Sequence, residues 1–150
     1  MSGPSYSERF RLACHRAAYV MHSMWEERGH SDTRLLLPPL IADGFVTIGK
    51  SRDGAQVKEH IIPRKVIVDR CHQIFSDGGK VDDAEKLILD SVRILRISRK
   101  EAQHLNRSDS LNLRQSMPEG WDFETGDKFA RIKLAEIEFE LDQEWPAALI

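Results

Sequence analysis

Residues 92–101, Val-Arg-Ile-Leu-Arg-Ile-Ser-Arg-Lys-Glu, carry the clearest structural signal in the chain. The run 92–97 is short and rich in β-branched residues, which is typical of a strand. Ser98 follows at once, and Glu101 stands three residues later. This spacing is a capping box, in which the serine side chain caps a new helix and the glutamate bonds back to the serine N–H. The stretch therefore predicts a strand over 92–97 that leads directly into a helix over 99–106.

Helical apolar periodicity predicts three more helices before this stretch. Apolar residues recur every three or four positions over 7–28, and Gly29 can end that helix. A second helix is expected after Pro63, which suits a first helical position, and Gly78-Gly79 stops it. A third helix, over 81–91, has acidic residues in its first turn.

Shorter β-type runs occur on either side of these helices. Residues 45–48 and 55–62 flank the turn-forming residues 51–54, and this arrangement predicts a hairpin. Residues 107–126 read as irregular, and 127–141 as a short helix followed by a strand. Together these elements predict an α+β fold, with a small antiparallel sheet and surrounding helices, in a single domain over 1–150.

Composition narrows the class of protein. The chain has 150 residues, a 41% hydrophobic and 31% charged composition, and a net charge of −2, which argues against binding nucleic acid by bulk charge alone. No apolar run reaches the roughly 18 residues of a membrane span, and the N-terminus lacks the apolar core of a signal peptide. Cys14 and Cys71 lack a CxxC spacing and lie in helical apolar patterns, so reduced core thiols and a cytoplasmic location are expected.

The segment Glu59-His60-Ile-Ile-Pro63 is where recognisable chemistry occurs. It resembles the opening element of HNH, or His-Me finger, nucleases, in which an acidic residue and a histidine end a first strand. The resemblance implies that His60 is the general base that takes a proton from the attacking water, with Glu59 beside it. It also implies a divalent metal, Mg²⁺ or Mn²⁺ and possibly Zn²⁺, that stabilises charge on the phosphate.

The segment 97–106 resembles the end of the same ββα-metal element. In this register Ser98 matches the capping residue, and the two metal-ligand positions are Ala102 and Asn106, four residues apart on one helix face. Alanine cannot bind a metal, so the implied ligands are Asn106, through its amide oxygen, and Glu59. His104 is a further candidate, two residues out of register.

The resemblance covers roughly residues 45–106, and an insertion is a second departure from compact family members, besides Ala102. Its ββα element would consist of strands 55–61 and 92–97 and helix 99–106, with two helices inserted between the strands. The implied function is metal-dependent endonuclease cleavage of DNA or RNA. Phosphate contacts are then expected from nearby basic residues: Arg64, Lys65, Arg99, Lys100 and Arg107. The alternative for these residues is an ordinary solvated surface.

Two alternatives compete with an active nuclease. Glu59 and His60 can be an ordinary polar pair at a strand end, without chemistry. The chain can also be an inactive, nuclease-like binding or inhibitor protein that occupies a partner protein's surface, as Ala102 at a ligand position suggests. Residues 136–145 alternate acidic and apolar side chains, and a strand there would present a row of carboxylates to a basic partner. An edge strand protected by its charges is the simpler interpretation of that row.

Overall fold

The computed structural model describes residues 3–142 and confirms the predicted α+β class. A short 3₁₀ helix, Thr33–Leu36, lies between the first two α-helices. Over these residues the helices are α1 (Tyr6–Arg28), α2 (Asp43–Val46), α3 (Arg64–Ser76), α4 (Val81–Ser91), α5 (Arg99–Asn106) and α6 (Ala130–Leu134). The strands are β1 (Thr47–Ser51), β2 (Val57–His60), β3 (Ile94–Ile97) and β4 (Phe139–Leu141).

The chain divides into two compact units, each made from two separate stretches of sequence. The first unit runs to Phe45 and resumes over Ile67–Ser91. The second takes Val46–Val66 and the described residues from Val92 onward. The prediction of a single domain over 1–150 stays a prediction.

The first unit is helical, and its core follows the periodicity of α1. Phe10, Cys14, Ala17 and Met21 lie on one face of that helix and are fully buried. Helix α4 packs against α1 and buries Ile88. Ser5 caps α1 in a capping box with Glu8, and Gly29 ends the helix with φ +80°, in the left-handed region that favours glycine.

The second unit contains a four-stranded sheet in the order β2-β3-β1-β4. Strand β2 is antiparallel to β3, with Val57 opposite Ile97 and His60 opposite Ile94. Helix α5 follows β3 and contacts β2. The predicted antiparallel pairing of 55–61 with 92–97 and the predicted helix over 99–106 are therefore confirmed. The sheet is mixed, because β1 is parallel to β3, so the prediction of an antiparallel sheet holds for only part of it.

The predicted hairpin between 45–48 and 55–62 is wrong. Residues 52–56 do reverse the chain, so that β1 and β2 run in opposite directions. The two strands are nevertheless separated by β3, which pairs with both of them. The turn-forming residues indicate only that the chain changes direction. They do not indicate that β3, which comes from a distant part of the sequence, lies between the two strands.

Strand β4 lies at the edge of the sheet and is antiparallel to β1. The backbones approach closely at Gly49, where an added Cβ would lie 2.2 Å from the backbone oxygen of Glu140. Glycine is therefore required there for steric reasons. Between residues 3 and 142, no helix is long and apolar enough to cross a membrane.

Candidate functional site

The end of β2 and the last turn of α5 bring two of the predicted site residues together. Glu59 and His60 are the final residues of β2, and Asn106 is the final residue of α5. The Asn106 Nδ2 donates to Glu59 Oε2 at 3.2 Å. The resemblance implied that these two residues, 47 positions apart in sequence, share a metal site, and the structure places their side chains in direct contact.

A third residue, Arg131 of α6, completes this site and was not anticipated from the sequence. Its Nη2 donates to Glu59 Oε1 at 2.8 Å and to Asn106 Oδ1 at 3.3 Å. Its Nη1 donates to the backbone oxygen of His60 at 2.7 Å, and its Nε to that of Leu113 at 2.9 Å. The arginine side chain is 0% exposed, so these acceptors, and not water, stabilise its positive charge.

The electrostatics of this cluster centre on the buried guanidinium. Burial lowers the pKa of Arg131, while the hydrogen bond and the charge of Glu59 raise it. The Glu59 side chain is only 13% exposed, so the ion pair lies mostly outside the screening of water. The structure therefore pairs one buried positive charge with one nearly buried negative charge.

This arrangement does not fit a divalent metal at Glu59 and Asn106. Both oxygens that a metal would need already accept hydrogen bonds from Arg131. Reversing the Asn106 amide would place its oxygen against the Glu59 carboxylate and its NH₂ against the guanidinium, so the network fixes its orientation. The guanidinium supplies the positive charge at this point, and a second cation beside it would be repelled.

His60 lies next to this cluster, in a half-buried position at the strand end. Its Nε2 atom is buried away from solvent. Its backbone oxygen is held by Arg131, as described above. A general base must reach the water that it deprotonates, directly or through one other water. In this structure the imidazole Nε2 does not open to bulk water.

His104, the remaining candidate metal ligand, does not join the cluster of Glu59 and Asn106. It is exposed on α5, and its Nδ1 bonds to Ser110 Oγ at 2.9 Å. It lines a separate open cavity together with Lys100. The two-residue offset in sequence explains this, because residues two apart on a helix point about 160° apart at roughly 100° per residue.

The predicted phosphate-binding residues lie in the first turn of α5, directly after α5 and in the first turn of α3. Arg99 and Lys100 are exposed in the first turn of α5, and Lys100 faces a cavity that also has acidic walls. Arg107 is bound by both carboxylate oxygens of Asp109, at 2.9 and 2.8 Å. Arg64 and Lys65, in the first turn of α3, also have interaction partners. Among these residues, Arg107 is therefore partly neutralised by an acidic neighbour.

The helical unit contains a second charged cluster that the sequence did not reveal. His15 Nδ1 lies 2.6 Å from Glu85 Oε1, and these two residues and Asp82 offer ligand atoms within 4.8 Å of one another. Arg11 also approaches Glu85, at 3.8 Å. Because Glu85 lies on another helix, 70 residues away from His15, no local pattern could have revealed the pair. Arg11 and Glu85 form an ion pair, and His15 is hydrogen-bonded to the same carboxylate.

The two cysteines are free and buried, as the sequence predicted. Burial raises the pKa of the Cys71 thiol to about 12. A thiol with so high a pKa stays protonated at neutral pH, and only the thiolate is a nucleophile. Cys71 is therefore not a catalytic nucleophile.

We expect Cys71 to resist alkylation by iodoacetamide at pH 8 in the native protein and to react fully in denaturant. Because the pKa is raised in the folded state, the unfolded chain loses this proton first. The thiol's contribution to stability is present below the unfolded pKa, near 9.0, and is lost as the pH rises towards about 12. Mass spectrometry of the tryptic peptide measures the labelling. Rapid native labelling at pH 8 would contradict the prediction.

Comparison with known proteins found no matching family model, no matching curated protein and no matching solved structure.

Proposed function

We propose that this protein is a non-catalytic binding protein, built on a nuclease-like arrangement, that occupies a basic surface on a partner protein. One observation supports the loss of catalysis: the buried guanidinium of Arg131 bonds to both Glu59 and Asn106. A scaffold can persist when its chemistry is lost, because function resides in the site and not in the fold.

The partner class follows from the charge of the sheet edge. Glu138 directly precedes β4 and Glu140 lies within it, and their side chains are 79% and 63% exposed. Asp142, which is also exposed, continues the alternation beyond the strand. We call Glu138, Glu140 and Asp142 the acidic row. Residues 143–145 of the predicted acidic stretch lie outside the described residues. A row of carboxylates on an edge strand is complementary to a lysine- and arginine-rich protein surface.

The acidic row has basic neighbours but more carboxylates than cations. Arg52 approaches it, at 3.8 Å from Glu138 and 3.5 Å from Glu140, and is itself 62% exposed. Exposed pairs of this kind contribute little to stability and exchange readily with other partners. Lys50 of β1 lies opposite Glu140, so two basic residues stand beside three carboxylates, and the surface keeps an excess of one negative charge. We also propose that the protein acts in the cytoplasm, which two free thiols favour.

Reversing the acidic row should abolish partner capture without unfolding the protein. In the test variant Glu138, Glu140 and Asp142 become lysine. In the control variant three exposed acids of the helical unit, Glu26, Glu27 and Asp90, become lysine. The net charge changes equally, so only the position of the charge differs. Pull-downs followed by mass spectrometry should lose the same partners in the first variant alone. Equal loss in both variants, or in neither, would contradict the proposal.

Nuclease activity is the second candidate function, and one arrangement favours it. Strands β2 and β3 are antiparallel, α5 follows β3, and Glu59 and Asn106 are in contact. We expect any nicking of plasmid DNA in Mg²⁺ or Mn²⁺ to be lost in His60→Ala, with the melting temperature nearly unchanged. A wild-type protein that cleaves neither DNA nor RNA rules this candidate out. Manganese calorimetry on wild type and Asn106→Ala provides an independent measurement, since an intact metal site would bind only in the wild type.

A further inference from the structure

Strand β4 ends the sheet on one side, and no strand of the described residues pairs with its outer edge. On its inner side it pairs with β1. The Arg52 N–H donates to Glu138 O at 3.0 Å, and the Asp142 N–H donates to Ile48 O at 2.7 Å. In an antiparallel pair, alternate residues bond to the neighbouring strand. The backbone groups of Glu138, Glu140 and Asp142 therefore point towards β1.

The intervening residues, Phe139 and Leu141, point their backbone groups away from β1. Each contributes one N–H and one C=O to the outer edge. Within residues 3–142, no hydrogen bond uses these groups. An edge of unpaired donors and acceptors is a template on which another strand can pair.

The side chains of β4 differ between its two faces. Successive residues of a strand point to opposite faces, so the acidic row lies on one face, and Phe139 and Leu141 lie on the other. The Phe139 ring stacks on that of Phe129, with ring centroids 5.1 Å apart, whereas Leu141 is 40% exposed. A strand added at this edge would lie beside carboxylates on one face and beside an exposed leucine on the other.

The charge of β4 indicates which kind of strand fits. In an antiparallel pair of two β4 strands the carboxylates would lie side by side, and like charges opposite each other are destabilising. This disfavours a second copy of the chain. Lys50 and Arg52 flank the acidic row on the β1 side. Basic side chains of an added strand would flank the row on its other side and reverse the sign of the interaction.

We propose that the basic partner binds by adding an extended segment to the outer edge of β4. Its basic residues lie at alternate positions, beside the acidic row, and the residues between them are apolar and lie beside Leu141. In strand addition, main-chain hydrogen bonds supply the affinity and alternate side chains supply the selectivity. The inference rests on the proposed function, since it states how the partner of the acidic row is held.

The test uses the full chain and fluorescein-labelled peptides of defined sequence. The probe, Lys-Val-Lys-Val-Lys, has the alternation that the edge requires. The control, Lys-Lys-Val-Val-Lys, has the same composition and charge. Binding is followed by fluorescence anisotropy at low salt. We expect the probe to bind about tenfold more tightly than the control, because only the probe places its cations on one face and its valines on the other.

Methylation of the peptide nitrogens tests the main-chain hydrogen bonds while leaving the protein unchanged. Only alternate amides of an added strand point to β4. One derivative of the probe carries methyl groups on both valine nitrogens, and the other carries them on two lysine backbone nitrogens. We expect one derivative to bind about tenfold more weakly than the other, and the weaker one to be the valine derivative if the added strand is antiparallel. Equal effects in the two derivatives would overturn strand addition.

Leu141→Pro removes one donor from the outer edge without removing a hydrogen bond to β1. Proline is tolerated on an edge strand where its nitrogen faces solvent. We expect this variant to bind the probe about tenfold more weakly, while the Arg52 amide, bonded to Glu138 O, stays protected from hydrogen exchange. Unchanged binding would contradict the proposal. If the Arg52 amide loses its protection, the methylated peptides decide instead.

The outcomes separate this inference from the proposed function. If the probe and the control bind equally, and both bind more weakly to Glu140→Gln, strand addition is wrong and the acidic row stands. If no peptide binds the wild type at low salt, strand addition is wrong, and the pull-downs with the reversed acidic row decide the proposed function separately.

Discussion

Replacing Arg131 with methionine is expected to lower the free energy of unfolding by about 3–5 kcal/mol. The substitution removes one member of a buried ion pair, with Arg131 0% and Glu59 13% exposed. Among the described residues of the site, the carboxylate then keeps only the Asn106 amide as a hydrogen-bond donor. It also leaves the Leu113 carbonyl without the donor that Arg131 provides. Urea denaturation followed by circular dichroism measures the change.

The control is an arginine in an exposed ion pair. Arg52→Met removes the partner of Glu138 and Glu140, and we expect a change of no more than about 1 kcal/mol, since exposed pairs are screened by water. The double variant Arg131→Met with Glu59→Leu should recover part of the loss, because no charge then stays buried alone. If Arg131→Met lowered the free energy of unfolding no more than Arg52→Met, the buried cluster would not contribute substantially to stability.

Replacing Gly49 with alanine is expected to lower the free energy of unfolding by about 3 kcal/mol and to detach β4 from the sheet. The added Cβ would lie 2.2 Å from the backbone oxygen of Glu140, and a backbone atom cannot move aside as a flexible side chain can. Hydrogen exchange should then expose the Arg52 and Asp142 amides, which bond to Glu138 O and Ile48 O in the intact sheet edge.

Gly44→Ala is the matched control, because no atom lies within 4 Å of its added Cβ. It should change stability by no more than about 0.5 kcal/mol. The Gly49→Ala variant should also capture less of its partner proteins in a pull-down, since β4 carries Glu140 of the acidic row. If Gly49→Ala kept both the protection of the Arg52 and Asp142 amides and the capture of partner proteins, the close approach of β1 and β4 would not be needed to hold β4 in the sheet.

Local signals in the sequence predicted the elements that depend on neighbouring residues. The capping box at Ser98 is present in full, with the Glu101 N–H donating to Ser98 Oγ at 3.1 Å and the Ser98 N–H to Glu101 Oε1 at 3.0 Å. Helix α1 also follows its predicted periodicity to within one residue of the expected start. Such features involve residues three or four apart, so one sequence contains all the information that they need.

The order of the strands could not be predicted in the same way. The turn at 51–54 indicates a reversal, but only the distant residues 94–97 decide which strand fills the space beside β1. Arg131 shows the same limit at the candidate site. It follows Ala130 and precedes Ile132 in an unremarkable short helix, and its partner Glu59 is 72 residues away. Its burial results from tertiary packing that the sequence pattern does not display.

The strand order also affects how the chain folds during synthesis. All of the first unit, up to Ser91, is made before β3 leaves the ribosome. Strand β1 then waits for a native neighbour while residues 52–94 are added, which takes about 2–9 s at roughly 5–20 residues per second. During that interval β1 and β2 run in opposite directions across a short turn and can pair as a hairpin. Such a hairpin would occupy the edge that β3 needs, and its strands would have to separate before β3 could enter the sheet between them.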